Sequence, residues 1–393
     1  MGIDPGLVIL ALVIWFWLFV GPSLLLALLS LARDWPRAAY IKNRLAQHTE
    51  HLPPASVIVP VKGEDAGLRE NLASLSVLDY PDYELLIVAR HADDIPSGVL
   101  PRSAKVVLAN GSDPNTSEKV QNLVAAVHAT RKRSEIFAFA DSDGRVTKGW
   151  LRALAAPLSE AGVGAATGYR WFLPEQATFW TLLRGVWDAV AAGGMGPGDN
   201  HFAWGGAMAL RRETFFEARV LEYWKDTISD DYALSAAIHA AGLTIAYAPA
   251  ALVPSREPIS ARGLFAWMRR QMIITRVYNR RQWRVALGAH VLYCGAMAAS
   301  LIAGCTGHYV GWGMLAAQLV TGMVKGACRA ALARAALPEY ADWFRRHGWV
   351  HTALVPLATW VWLGVLLSSA FGSNIEWRGY RYDLKRGAAA KRV

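Results

Sequence analysis

Two aspartates one residue apart, Asp141 and Asp143, close an apolar run, "EIFAFADSDGRV", that should be a buried strand. Carboxylates gathered at a strand tip, with no matching set of basic side chains and no cysteine nearby, favour a divalent cation with hard oxygen ligands, Mg2+ or Mn2+. Mg2+ habitually takes one or two protein carboxylates and completes its shell from water and phosphate oxygens, so the pair suggests a nucleotide diphosphate. A second acidic pair, Asp93 and Asp94, follows the run "YELLIVA" and could converge with the first above one sheet edge. Alone, the spacing is weak, since an aspartate also caps a helix such as "KGWLRALAAPL". Three further stretches agree with it. "TISDDYALSAAIHAAG" reads as a helix with Ser229, Asp230 and Asp231 at its N-terminus, where the helix dipole favours acids whatever their job. Two adjacent aspartates leave one for a general base, a carboxylate within hydrogen-bond reach of an acceptor hydroxyl. "HFAWGGAMALRRETF" carries Gly205 and Gly206, which let backbone approach a ligand closely or mark a bulge. In "NTSEKVQNL", Lys119 can meet a phosphate or uracil oxygen with Asn122 in support, or lie on a solvated helix face.

These residues need elements to position them. The runs at 55–61, 83–89, 104–109 and 135–141 are short, nearly continuous and rich in Val and Ile, as strands buried on both faces are. Between them, "LRENLASLSVL" and "SEKVQNLVAAVHATRKR" space apolar residues three and four apart, as amphipathic helices do. The alternation predicts right-handed βαβ units and an α/β fold with a mostly parallel sheet. In such sheets ligands bind beyond the carboxyl ends of the strands, where the loop holding Asp141 and Asp143 falls.

The ends of the 393-residue chain are different in character. Hydrophobic residues make up 53% and there are 17 Trp, an excess over soluble proteins. Pro5 to Ala32 contains no charge, enough for a helix to cross a bilayer, and a signal peptide would have a shorter core, a basic start and a cleavage site. No Asp, Glu, Lys or Arg occurs between Val285 and Val324, which allows two spans folded at the break 304–311. His351 to Ile375 is charge-free again, one more span or a re-entrant helix. The expected organisation is an anchor at 1–34, an α/β domain at 50–260, a basic interfacial helix at 261–284, membrane helices at 285–375 and a basic tail at 376–393. Arg33, Arg37, Lys42 and Arg44 follow the first span, and Arg269, Arg270, Arg276, Arg280, Arg281 and Arg284 precede the second, so the α/β domain should face the cytoplasm. The net charge of +10 is then assigned to lipid head groups rather than to nucleic acid. Three spans after the domain would put the basic tail outside, which conflicts with that rule. "FWTLLRGVWDAVAAGGMGPG", 179–198, reads as an interfacial helix or an ordinary core helix. Cys294, Cys305 and Cys328 have no zinc spacing and read as buried small hydrophobes.

The ordered stretches "SVIVPVKG", "DYPDYELLIVARHADD", "SEKVQNL", "FADSDGRV", "WGGAMALRRETF" and "SDDYALS", followed by "IEWRGYRY", resemble inverting glycosyltransferases of the family 2 and family 21 type with a GT-A fold. The nearest group is that of the ceramide glucosyltransferases with their bacterial glycolipid and hopanoid relatives. The resemblance implies a UDP-sugar donor, Mg2+ or Mn2+, a lipid acceptor such as ceramide, a hopanoid or diacylglycerol, and an integral protein of a bacterial inner membrane. A polysaccharide synthase or a non-catalytic membrane scaffold are the other readings. Residue by residue, it implies uracil contact at Asp93 or Asp94, Asp141 and Asp143 as the D-x-D pair with Asp143 on the metal, and Asp231 as catalytic base. Lys119, Gly205, Gly206 and Asp230 join the nucleotide-sugar set. The family's Gln/Arg-x-x-Arg-Trp motif departs here: Gln271 holds the first place, but Ile274 and Thr275 occupy the last two. Arg270 or Arg276 would supply the charge, and no Trp takes the ring position before Trp283.

Overall fold

The computed structural model describes residues 5–47, 49–111, 113–198, 201–384 and 391–392. Met1–Asp4 of the expected anchor and 385–390 and 393 of the expected tail lie outside the described residues. A seven-stranded sheet contains β1 (Ala55–Pro60), β2 (Tyr83–Ala89), β3 (Ala104–Leu108), β4 (Ile136–Ala140), β5 (Val163–Thr167), β7 (Ala207–Arg211) and β8 (Thr244–Tyr247). Their order is β3-β2-β1-β4-β7-β5-β8, and a separate parallel ribbon joins β6 (Arg170–Phe172) to β9 (Val253–Ser255). Within the large sheet only β7 is antiparallel to its neighbours, so the α/β, mostly parallel expectation holds.

Alternation along each strand explains the two cores. Val57 and Val59 pack with Leu72, Leu75 and Trp150 on one face, while Ile58 packs with Leu123, Val127 and Phe137 on the other. The helices Leu68–Leu75 and Trp150–Ala155 cover the first face, Glu118–Ala129 and Asp230–Ala240 the second. One expectation fails: β3 is an edge strand of the described sheet, and Val106 and Leu108, which belong to neither core cluster, are exposed.

Register brings the chemistry together. Since β7 runs antiparallel to β4 with Ala207 opposite Ala140, the Gly205–Gly206 turn before β7 lies beside Asp141 just after β4. The end of β5 reaches the same edge, where Gly168 N–H donates to Ala207 O at 2.8 Å, and β6 follows at once with Arg170. Ser117, which caps the Glu118–Ala129 helix, donates from Oγ to Ile228 O at 3.1 Å and docks the 227–231 turn there too.

The helices Pro5–Ala32 and Asp34–Ala46 follow one another with only Arg33 between, and Arg280–Cys305 and Tyr309–Ala336 turn at the expected break. Stretches within 16–46 and 280–305 are long and apolar enough to cross a membrane, and only 22% and 28% of their most apolar windows is buried, too little for core helices. The basic helix Ala261–Tyr278 stops at Asn279, so Arg280, Arg281 and Arg284 open the apolar helix instead. Val355–Ser369 has 15 residues and follows Val350–Ala353 with only Leu354 between, and together they reach about 30 Å at the α-helical rise. The N-terminal flank of Val355–Ser369 meets the α/β domain, where His351 lies over Trp171 at 4.8 Å, and at its C-terminal end Ser369 Oγ accepts from Trp283 Nε1 at 2.9 Å, at the start of the helix Arg280–Cys305. Mid-helix, Trp362 stacks on Trp187 at 4.1 Å. These contacts to the α/β domain fit the re-entrant alternative. The hairpin β10 (Asn374–Trp377) and β11 (Tyr380–Asp383) then packs near the Asp141 edge of the sheet. Helix Phe179–Ala192 is the core alternative, with Leu183, Val186 and Trp187 buried against Met268 and Trp362. Of the cysteines only Cys294 is buried; Cys305 is exposed in the turn and Cys328 is intermediate.

Candidate active site

A cavity of ≈ 470 Å³ opens at this sheet edge. Lys119 sits at its acidic wall, with Nζ 2.8 Å from Asp141 Oδ1 and 3.0 Å from Asp230 Oδ1. A buried ammonium is tolerable only when paired, and the two carboxylates hold its pKa above the ordinary lysine value against the pull of burial. In return, although burial pushes Asp141 up, Lys119 and Arg170 outweigh it and keep this carboxylate below the usual range. Asp230 is pushed up to about 6 by burial, against Lys119 and helped by Asp231.

Asp143 completes the predicted pair. Arg170 Nη2 stands 3.6 Å from Asp143 Oδ2 and 3.7 Å from Asp141 Oδ2, and Asp143 Oδ1 is buried without a partner. Burial raises Asp143 to about 6, with Arg170 opposing and Asp141 adding. Among the described residues no three His, Cys, Asp or Glu side chains cluster to hold a metal unaided. An all-oxygen pair with one vacant buried donor suits an ion that takes its remaining ligands from water and phosphate.

Asp231 lines the cavity one residue beyond Asp230, in the first turn of its helix. Oδ1 accepts from Tyr232 N–H at 2.7 Å and from Ser229 Oγ, while Oδ2 is engaged by no hydrogen bond among the described residues. One oxygen is therefore fixed and the other is available to an acceptor hydroxyl.

The opposite wall is basic and comes from two late segments. Trp267, Arg270, Gln271 and Ile274, at helical spacing on Ala261–Tyr278, face the cavity together. The β10–β11 hairpin adds Trp377, Arg378 and Tyr380. Arg378 Nη2 pairs with Asp65 Oδ1 at 2.6 Å, and Lys62 Nζ, bound to Glu118 at 2.9 Å, lies 3.8 Å over the Tyr380 ring. Arg270 has no carboxylate within ion-pair distance among the described residues. Burial, then Arg170, then Arg378 lower it to about 10, so an anion entering here would relieve a real repulsion.

Several expected residues stand elsewhere. Asp93 and Asp94 are outside the cavity: β2 is separated from β4 by β1, and Asp94 Oδ2 caps its own turn by accepting from His91 N–H at 3.0 Å. The carboxylate brought to the edge in their place is Asp65, after β1, which accepts from Ser142 Oγ at 2.6 Å. Gly205 and Gly206 do not line the cavity either. A Cβ on Gly205 would come 2.6 Å from Asp230 Oδ2, and Gly206 lies under the Trp204 ring. Arg276 donates to Ala370 O and Gly372 O just after the helix Val355–Ser369, so of the two arginines Arg270 is the one that faces the cavity near Gln271. Trp283 is engaged with Ser369, and aromatic rings reach the cavity from Trp204, Trp267 and Trp377 instead. Asn122 is at the wall, its Oδ1 buried and unpartnered. Sequence reading missed Arg170, the Arg184–Glu257 pair (3.1 Å) and Asp65; Arg378 stood within the noted "IEWRGYRY".

Solved structures resembling this chain include the mannosyltransferase PcManGT from Pyrobaculum calidifontis in complex with GDP-Man and Mn2+, at 18% identity over 87% of this chain and 98% of that one, TM-score 0.44. Another is glucosyl-3-phosphoglycerate synthase from Mycobacterium tuberculosis in complex with Mn2+, uridine-diphosphate and glucosyl-3-phosphoglycerate, at 18% identity over 61% of this chain and 83% of that one, TM-score 0.38. Likeness at this level carries neither substrate nor metal over to this chain. The family model described as glycosyl transferase family 21 matches residues 15–390, nearly the whole sequence, and the chain belongs to that family of glycosyltransferases.

Proposed function

We propose that this glycosyltransferase moves a sugar, glucose foremost, from a UDP-sugar to the hydroxyl of a membrane lipid such as ceramide, with inversion, its catalytic domain on the cytoplasmic face. The observation that carries the reading is one cavity in which three like-charged guanidiniums, Arg170, Arg270 and Arg378, stand against the Asp141–Asp143 pair while Asp231 keeps an oxygen open. A diphosphate satisfies the guanidiniums, and only an acceptor proton needs the base.

Asp231 takes the proton of the acceptor hydroxyl as its oxygen bonds to the anomeric carbon. The bond from that carbon to the diphosphate oxygen breaks, and UDP leaves with the electron pair. Arg270, Arg170 and Arg378 balance the charge that develops on it. A divalent cation held by Asp143 and Asp141, for which the vacant Asp143 Oδ1 is suited, would add Lewis-acid charge at the same oxygens. The lipid acceptor is supported by Ile259 and, on the following helix Ala261–Tyr278 that leads into Arg280–Cys305, Trp267 and Ile274, which give the cavity an apolar wall. Glucose and ceramide rest on the resemblance.

UDP release from the detergent-solubilised protein with Mn2+, across a panel of UDP-sugars with and without ceramide, tests this. Ceramide-dependent release from one donor, reduced about 10²–10⁴-fold in Asp231→Asn, is expected. Release equal to Asp231→Asn for every donor, also with hopanoid and diacylglycerol, would remove the proposal; polymer in place of glycolipid would make the protein a polysaccharide synthase.

A further inference from the structure

We propose a second ligand site: a slot between the apolar helices that binds one lipid with a negatively charged head group. The slot has a volume of ≈ 220 Å³ and shares no lining residue with the catalytic cavity. Helix Phe179–Ala192 is the wall between them, with Arg184 on the catalytic side and Val186 and Val190 on the slot. Leu26, Leu292, Val355 and Ala358, from three different helices, make much of the slot apolar.

Lys325 and Arg329 also line this slot, one turn apart on Tyr309–Ala336. Lys325 Nζ donates to Ser30 O at 2.8 Å and to Ser30 Oγ at 2.7 Å, and stands 3.3 Å from Asp34 Oδ2. Asp34 Oδ1 is also 4.0 Å from Arg37 Nη1, which makes no hydrogen bond, while Arg37 Nε and Nη2 donate to Met195 O at 2.7 Å and Ala192 O at 3.0 Å. Arg329 is only 8% exposed, and its Nε donates to Lys325 O at 3.2 Å. Among the described residues no carboxylate comes within ion-pair distance of Arg329. Three cations, Arg37 and Arg329 buried and Lys325 partly so, thus stand around one carboxylate, and uncompensated buried charge is costly. Between helices whose outer faces are apolar, the anion that matches both the charge and the lining is an amphiphile. A zwitterionic lipid supplies no net counter-charge.

This inference rests on the reading that these helices lie in a bilayer, and that reading is tested separately by whether alkaline carbonate releases the full chain from membranes. For the site itself, the detergent-solubilised protein is offered equimolar phosphatidylglycerol and phosphatidylcholine and examined by native mass spectrometry. One phosphatidylglycerol should be retained in preference, by about tenfold or more. The Lys325→Gln/Arg329→Gln double variant should lose the preference, and Asp231→Asn should keep it. Equal retention of the two lipids by the unaltered chain overturns the proposal even where the double variant does not fold, as does an unchanged preference in a folded double variant. Inorganic phosphate should not raise the thermal unfolding midpoint as phosphatidylglycerol does; an equal rise would make this a free-anion site and overturn the lipid assignment.

Discussion

Arg378, at the tip of the last hairpin, forms an ion pair of 2.6 Å with Asp65, in the loop after the first strand of the sheet. The other oxygen of Asp65 accepts from Ser142 Oγ at 2.6 Å, between the two aspartates of the D-x-D pair. A single carboxylate therefore ties the C-terminal segment to the acidic wall of the cavity.

Removing that tie should act on the donor. On the proposed function, Arg378→Ala loses one of three guanidiniums that would meet the diphosphate, and it leaves Asp65 with an unbalanced charge. Charge-assisted hydrogen bonds contribute about 1.5–3 kcal/mol, so KM for the UDP-sugar should rise roughly 10- to 100-fold, with kcat changed less. Steady-state kinetics at varied donor decides it, and an unchanged KM would place Arg378 away from the nucleotide.

Gly205 tolerates nothing larger. Real Cβ atoms do not sit 2.6 Å from a carboxylate oxygen, and this one would also stand 3.0 Å from Lys119 Nζ. Gly205→Ala should push Asp230 off Lys119 and misplace Asp231, lowering kcat by about tenfold or more while the fold survives. Wild-type kcat in Gly205→Ala would contradict the packing described.

Much of this was legible in the sequence, and for a physical reason. Buried parallel strands are continuous apolar runs, so β1, β2 and β4 were readable, and loops at their carboxyl ends are where ligands bind. Asp141, Asp143, Lys119, Asp230 and Asp231 follow from that. What failed depended on sheet order and on distant pairing. "YELLIVA" does not say that β1 will stand between β2 and β4, which is what keeps Asp93 and Asp94 out of the cavity. Nothing local in "GYRWF" marks Arg170 as the partner of the acid pair, since the contact exists only once β5, β7 and β4 are neighbours. Arg378 was hidden by topology: a tail placed outside the membrane has no access to the site.

Asp188 gives a pH signature. Tyr169 OH lies 3.4 Å from its Oδ1, Oδ2 is buried without a partner, and burial raises the carboxyl to about 7 against Arg170 and Arg184. An unfolded aspartate titrates near about 3.9, so between that pH and about 7 the native state holds a proton the unfolded state has lost. The stability this confers is complete at the acid end and disappears as pH rises through 7. Asp188→Asn, which cannot ionise, should escape the loss. Between about pH 5 and about pH 8 the thermal midpoint of the unaltered protein should fall relative to that of Asp188→Asn, and parallel curves would refute the shift.

The path of the chain predicts which side the tail occupies. On the reading that Arg280–Cys305 and Tyr309–Ala336 cross and that 350–369, held to the α/β domain through His351 and Trp362, does not, the β10–β11 hairpin returns to its starting side. Cys305, exposed in the turn between the two traversing helices, then lies on the opposite side of the membrane from Arg381, exposed on the hairpin. In cells carrying Arg381→Cys with Cys294 and Cys328 replaced, a membrane-impermeant maleimide should label Cys305 from outside. The cysteine at 381 should react only after lysis. Labelling of both positions in intact cells would mean that the 355–369 segment crosses, and the hairpin could then no longer bring Arg378 to Asp65, so the donor-binding role assigned to it would fall with the topology.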